Sequence, residues 1–177
     1  MRDGVAEERS MKELTAKMLS MVAAAEPNLA EMSESESSKP VLAGGWSRKQ
    51  VIGHLIDSAS NNHQRFVRAL MQPSLEFPDY EQVGCVAVQA LPDADWLMLV
   101  TLWAAYNRYL AHVISHFPES KLDTPCLIGE RPAADLAFMV ENYVWHLGHH
   151  LDQIVAMPLG LKSDSRHPQF TIGQPPR

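Results

Sequence analysis

Cysteine is scarce in this chain. Cys85 and Cys126 are the only two among 177 residues, and no C-x-x-C pair occurs. That excludes a disulfide framework and a thiolate zinc site. No run of about 18 apolar residues occurs, so no segment reads as a bilayer-spanning helix. Basic residues are short as well: 15 Lys and Arg face 21 Asp and Glu, a formal net charge of -6. Nucleic-acid binding needs a basic patch and a polybasic membrane anchor needs a basic cluster, so neither partner is expected. The opening "MRDGVAEERSMKEL" is too charged for a secretory signal, and a cytoplasmic protein with free thiols is the expectation. Strand-type alternation, internal repeats and low-complexity tracts beyond "SESESS" are also missing.

What is present is helical. Apolar residues make up 46% and charged residues 20%, ordinary for one globular domain spanning 1–177. Four segments carry apolar residues at helical spacing. The first covers about 8–25 and is expected to break at Pro27. The second covers 47–71, opened by Ser47 as N-cap and closed before Pro73. The third covers about 93–117, up to Pro118, and the fourth about 133–157, up to Pro158. An all-α, four-helix bundle follows, with a long connection between the second and third helices. "NLAEMSESESSKPVLAGG" reads as a frayed turn and a loop, and "GCVAVQAL" as a segment able to hold a turn of helix.

Three of the eight histidines crowd into "VWHLGHHLDQI". His146 and His150 are four apart, hence on one helical face, where both imidazoles can grip one ion. A third ligand must come from another element, and His54 in "VIGHLIDSASNNHQRF" is the best candidate. At about 100° per residue, Asp57, Ser58, Asn61 and Arg65 share its face. On the fourth helix Asn142, His146, His149, His150 and Gln153 make a matching stripe. Bundles build metal sites from such facing helices. A solvated face has the same look, because both stripes lie far from the apolar faces Ile52/Leu55/Ile56/Ala59/Phe66 and Val140/Leu147/Leu151/Ile154.

His112 and His116 repeat the spacing, but no polar stripe accompanies them. They suit the negative end of a helix dipole. His63 points away from His54, and His167 lies in the polar tail.

"KPVLAGGWSRKQVIGHLIDSASNNHQRFVRA" resembles the signature around the second helix of the DinB/YfiT-like superfamily, and "ENYVWHLGHHLDQI" resembles its C-terminal histidine motif. "FPDYEQVGCVAVQAL" and "LAHVISHFPESKLDTPCLIGE" are similar to connecting segments of the YfiT-like branch. The resemblance implies a four-helix bundle, often dimeric, holding nickel or zinc through three histidines. Carried onto this chain, these are His54, His146 and His150. It implies a metal-dependent hydrolase or a thiol S-transferase that uses a low-molecular-weight thiol. Gly84 and Cys85 stand where relatives often carry tryptophan, which changes the pocket. Asp135 replaces the usual threonine as N-cap of the last helix.

Three neutral imidazoles leave an ion its full charge and open positions for a water or thiol of lowered pKa. Asp57 is the nearest carboxylate in sequence, either a general base or a partner orienting a ligand histidine. Arg65 can bind an anionic substrate or pair structurally. Asn61 and Gln153 are candidate pocket residues for a small-molecule substrate, and Cys85 is a reactive thiol only if it faces the pocket. The surplus of apolar residues on the third helix, Trp96, Leu99, Leu102, Trp103, Tyr106 and Leu110, joins the resemblance in suggesting a homodimer. A non-catalytic metal-binding protein and a purely structural bundle are the other functions to weigh.

Overall fold

The computed structural model describes residues 10–155. Four long helices carry the fold: α1 (Met11–Ala30), α3 (Arg48–Met71), α5 (Trp96–Ile114) and α6 (Leu136–Val155). Between them lie two short helices, α2 (Glu34–Ser37) and α4 (Gln82–Val88), and three short strands, β1 (Leu75–Phe77), β2 (Pro125–Ile128) and β3 (Ala134–Asp135). α5 and α6 each pack on both α1 and α3, so α1 and α3 face each other across the bundle diagonal. Consecutive long helices are therefore not neighbours at the first step, and long connections are the geometric consequence.

Helix starts follow local chemistry. Ser47 accepts from the Gln50 N–H while the Gln50 side chain accepts from the Ser47 N–H, a reciprocal cap that fixes the start of α3. Asp95 accepts from the Met98 N–H at 2.7 Å, and Asp135 from the Phe138 N–H at 2.6 Å. These two caps start α5 and α6 later than sequence periodicity places them. Asp93 belongs instead to a separate single turn, Leu91–Asp93. α1 differs in the other direction: Pro27 lies inside it, and the helix continues to Ala30. The N–H that Pro27 lacks leaves the Ala23 carbonyl without the usual donor, and the next residue's side chain, Asn28, donates to the Ala24 carbonyl at 2.8 Å.

The strands are the main departure from a purely helical expectation. β1 pairs parallel with β2 through Leu75 and Cys126, and β2 pairs antiparallel with β3. They tie the connection after α3 to the segment before α6, and both sit against the bundle near the end that carries the cavity described below. Gly129 ends β2 at φ +56, and its N–H donates to the Phe77 carbonyl at 2.9 Å. A side chain there would press on Asp79 at 3.0 Å as well as strain the backbone.

The core runs through all four long helices, with Met18, Leu29, Phe66, Trp103, Ile114, Leu147 and Leu151 fully enclosed. Ile52, Leu55, Ala59 and Phe66 of α3 and Val140, Leu147, Leu151 and Ile154 of α6 are buried as their spacing requires, and Ile56 is half-buried. Trp96, Leu99, Trp103 and Leu110 also point into the bundle, whereas Leu102 is exposed. Most of the apolar surplus on α5 is thus accounted for within one chain. No helix among the described residues is long and apolar enough to cross a membrane.

Candidate metal centre

α3 and α6 pack together and bring His54, His146 and His150 to one point, with a ring nitrogen from each lying within 4.8 Å of the others. The Nε2 atoms of His54 and His146 are 3.1 Å apart. Two nitrogens bound at about 2.0–2.1 Å to one tetrahedral ion stand roughly 3.3 Å apart, so the spacing fits a shared ion. Ring centroids are 5.1 Å apart for His54–His146, 5.0 Å for His54–His150 and 4.5 Å for His146–His150. Trp46, itself buried, covers His54 at 5.3 Å.

All three imidazoles are at most 5% exposed. Burial disfavours their charged forms. It lowers the His54 pKa to about 4 and, with the neighbouring imidazoles, that of His150 to about 3. His146 is held well below the ordinary value by burial and then by His150 and His54. Each is therefore neutral at pH 7, the form that donates a lone pair.

Hydrogen bonds set which nitrogen faces inward. His150 Nδ1–H donates to Gln153 Oε1 at 3.0 Å, and Gln153 Nε2–H donates to His149 Nε2 at 3.0 Å. His150 Nε2 then carries the lone pair, and it is buried with no hydrogen-bond partner. His146 Nδ1 lies 3.4 Å from Ser58 Oγ. A buried lone pair without a donor, beside two other inward nitrogens, suits a divalent cation.

His146 also lines a cavity of about 1090 Å³. α3 contributes Ser58, Asn62 and Arg65; α6 contributes Phe138, Met139, Asn142 and Tyr143; the segments around the sheet contribute Asp79, Tyr80, Cys126 and Arg131. His54 and His150 are not in its lining, so the cavity reaches the cluster at one imidazole.

Among the residues singled out from sequence, the fold unites the three histidines and puts Ser58, Arg65 and Asn142 in the cavity wall. Asp57 and Asn61 are not part of that wall. The Asp57 carboxylate accepts from Gln89 Nε2 at 2.7 Å, and burial raises its pKa against that bond. Asn61 donates to the Asp57 carbonyl at 3.0 Å. The expected stripe is centred on His54, but the cavity lies to one side of it. Positions 58, 62 and 65 turn toward α6, and 57 and 61 turn away. Gln153 is behind His150, not in the cavity.

Cys85 is half-buried on α4, away from the cavity wall, and burial with Asp57 and Glu81 raises its pKa. Cys126 does line the cavity; its Sγ–H donates to the Thr124 carbonyl at 3.4 Å, and burial pushes its pKa up to about 11. His63 bonds the Tyr106 hydroxyl at 3.1 Å. His116 packs on His112 and bonds its carbonyl at 2.7 Å. Neither belongs to the cluster, and His167 lies outside the described residues. Asn62, Asp79, Tyr80 and Arg131 had no sequence signal, because three of them come from connections without periodicity.

Comparison with known proteins agrees with this architecture. The "Putative metal-dependent hydrolase" of Bacillus licheniformis is 30% identical over 134 residues, covering 72% of this chain and 73% of the relative. One of the same name from Bacillus pumilus is 25% identical over 130 residues, with 72% and 73% covered. The fold is similar to that of YfiT from Bacillus subtilis, described as "a probable metal-dependent hydrolase with an unusual four-helix bundle topology". The TM-score is 0.75 at 20% identity, over 88% of this chain and 89% of the other. The family model of the DinB superfamily matches residues 11–154. The chain belongs to the DinB superfamily.

Proposed function

We propose that the protein is a metal-dependent hydrolase in which His54, His146 and His150 hold one divalent ion, nickel or zinc. The carrying observation is the His150 Nε2 lone pair, buried without a donor beside two further neutral imidazoles at the end of a large cavity. The names of the relatives support the same chemistry. Bound there, a divalent ion supplies Lewis acidity and lowers the pKa of a water or thiol that reaches it. The chain's own residues do the rest. Gln153 fixes the His150 ring and tautomer, Ser58 approaches the far nitrogen of His146, and Trp46 shields His54 from water.

One observation favours a second reading, S-transfer from a low-molecular-weight thiol. Asp57, the carboxylate nearest His54 in sequence, is engaged by Gln89 and is not in the cavity wall. Attack by water calls for a general base, whereas a thiol is acidic enough to do without one. The substrate is a small molecule in either case, and the working unit is a homodimer.

The test is turnover by the metal-loaded protein of a panel of activated esters and amides, and separately of electrophiles with small thiols. Metal-dependent turnover in either panel, lost in His150→Ala, is the expected result. Loss of only the first activity would leave the S-transferase; inactivity in both panels would overturn the enzymatic reading.

A further inference from the structure

Arg65 is 6% exposed, yet its Nε–H and Nη2–H have no hydrogen-bond acceptor among the described residues. These two donors form one edge of the guanidinium, the fork that meets both oxygens of a carboxylate. Asp79 is the nearby anion, but its Oδ1 stands 3.6 Å from Nη2, too far for a hydrogen bond. It is also committed elsewhere. Asp79 Oδ2 accepts from Arg131 Nε at 2.8 Å and lies 2.7 Å from Arg131 Nη2, while Oδ1 accepts from the Tyr80 N–H at 2.9 Å. The Phe77 and Tyr80 rings, 5.7 and 5.9 Å from the guanidinium carbon, hold Arg65 in place. A buried cation with an unused fork is an incomplete arrangement that a ligand can complete.

The position of Arg65 gives that ligand a shape. Ser58 and Arg65 line the same cavity from one face of α3, seven residues apart, which is about 10 Å of helix rise. His146 and Ser58 mark one end and Arg65 the other. Asn62 of α3 and Asn142 of α6 line the stretch between these levels, and Ile128, Phe138 and Met139 add apolar wall to the same cavity. Arg131 pairs with Asp79, so Arg65 itself meets a ligand with one charge and one planar fork, which suits a carboxylate better than a phosphate dianion. Asp123 and Asp135 also line the cavity, and Asp135 is engaged in capping α6.

We infer that Arg65 is the specificity residue of this cavity and that the substrate is an elongated carboxylic acid, its carboxylate paired with Arg65 and its reacting group some 10 Å away at His146. This rests on the proposed function for which end reacts; the carboxylate pairing stands apart from the metal. Calorimetric titration of the full-length protein, as purified and after chelation, with 6-phenylhexanoate, 6-phenylhexanamide and phenyl phosphate tests it. The acid is expected to bind at least about tenfold more tightly than the amide or the phosphate, with or without metal. Arg65→Gln should abolish that preference. Arg65→Lys, which keeps the charge and loses the fork, should retain part of it, and Arg108→Gln, on the outer surface beside Glu26, should retain it all. Equal binding of acid and amide, tighter binding of the phosphate, failure of the acid to bind, or an undiminished preference in folded Arg65→Gln would each overturn the inference. Loss of turnover on chelation with carboxylate binding intact would separate the two sites of action.

Discussion

His150 Nδ1 and Gln153 Oε1 are joined by a 3.0 Å hydrogen bond, one helical turn apart on α6. The bond decides that Nε2, not Nδ1, presents the lone pair to His54 and His146. Gln153→Ala should therefore weaken metal affinity by roughly 10- to 100-fold while leaving the helix content unchanged. Gln153→Glu keeps an acceptor and should recover most of the loss. Competitive titration against a chromogenic chelator reads both; wild-type affinity in Gln153→Ala would remove the orienting role.

The histidine cluster was legible partly from helix geometry and partly from the family resemblance. His146 and His150 had to share a face, and His54 lay on the other helix with a polar stripe. Asp57 and Asn61 share the face of His54 by the same arithmetic yet lie outside the cavity wall, since an angle around α3 does not say on which side of His54 the next helix packs. Asp79, Tyr80 and Arg131 sit on a connection and a sheet margin, where no period exists to reveal them. Pro27 does not end α1, which runs on to Ala30 and buries Leu29 in the core.

Asp57 faces Gln89 and is absent from the cavity wall. Asp57→Asn should change kcat by less than about threefold, against the loss of about 100-fold or more that removing a general base brings. Metal affinity should stay within the same margin. A large fall in kcat at saturating metal would return the carboxylate to the chemistry.

The metal-free protein should lose stability in acid. The folded-state pKa values of His54 and His150 are depressed to about 4 and about 3, and that of His146 is lowered too. An unfolded chain binds protons at these groups below about pH 6.5, where the folded chain does not. The stability these groups allow is therefore complete above about pH 6.5 and falls as pH drops toward 4. Each group contributes a loss on the order of 1.4 kcal/mol for every pH step of one across that window. Urea unfolding at pH 7 and pH 5 measures it. His54→Gln should show a shallower pH dependence; an identical slope would contradict the assignment.

Met98, Leu102 and Tyr109 lie on one face of α5 and are 53%, 47% and 51% exposed. The homodimer proposed for this protein would bury that face. Light scattering at micromolar concentration should give twice the chain mass, and Leu102→Lys should halve it. A monomer mass for the wild type would end the proposal.

The central claim is that three neutral imidazoles hold one divalent ion. Elemental analysis of protein purified without chelators addresses it most directly. One equivalent of nickel or zinc per chain is expected in the wild type and in His116→Ala, falling below about a tenth in His54→Ala and in His150→Ala, because each leaves two ligands where a site needs at least three. Full occupancy in both of these variants, or a wild type that neither carries nor takes up a divalent ion, would contradict it.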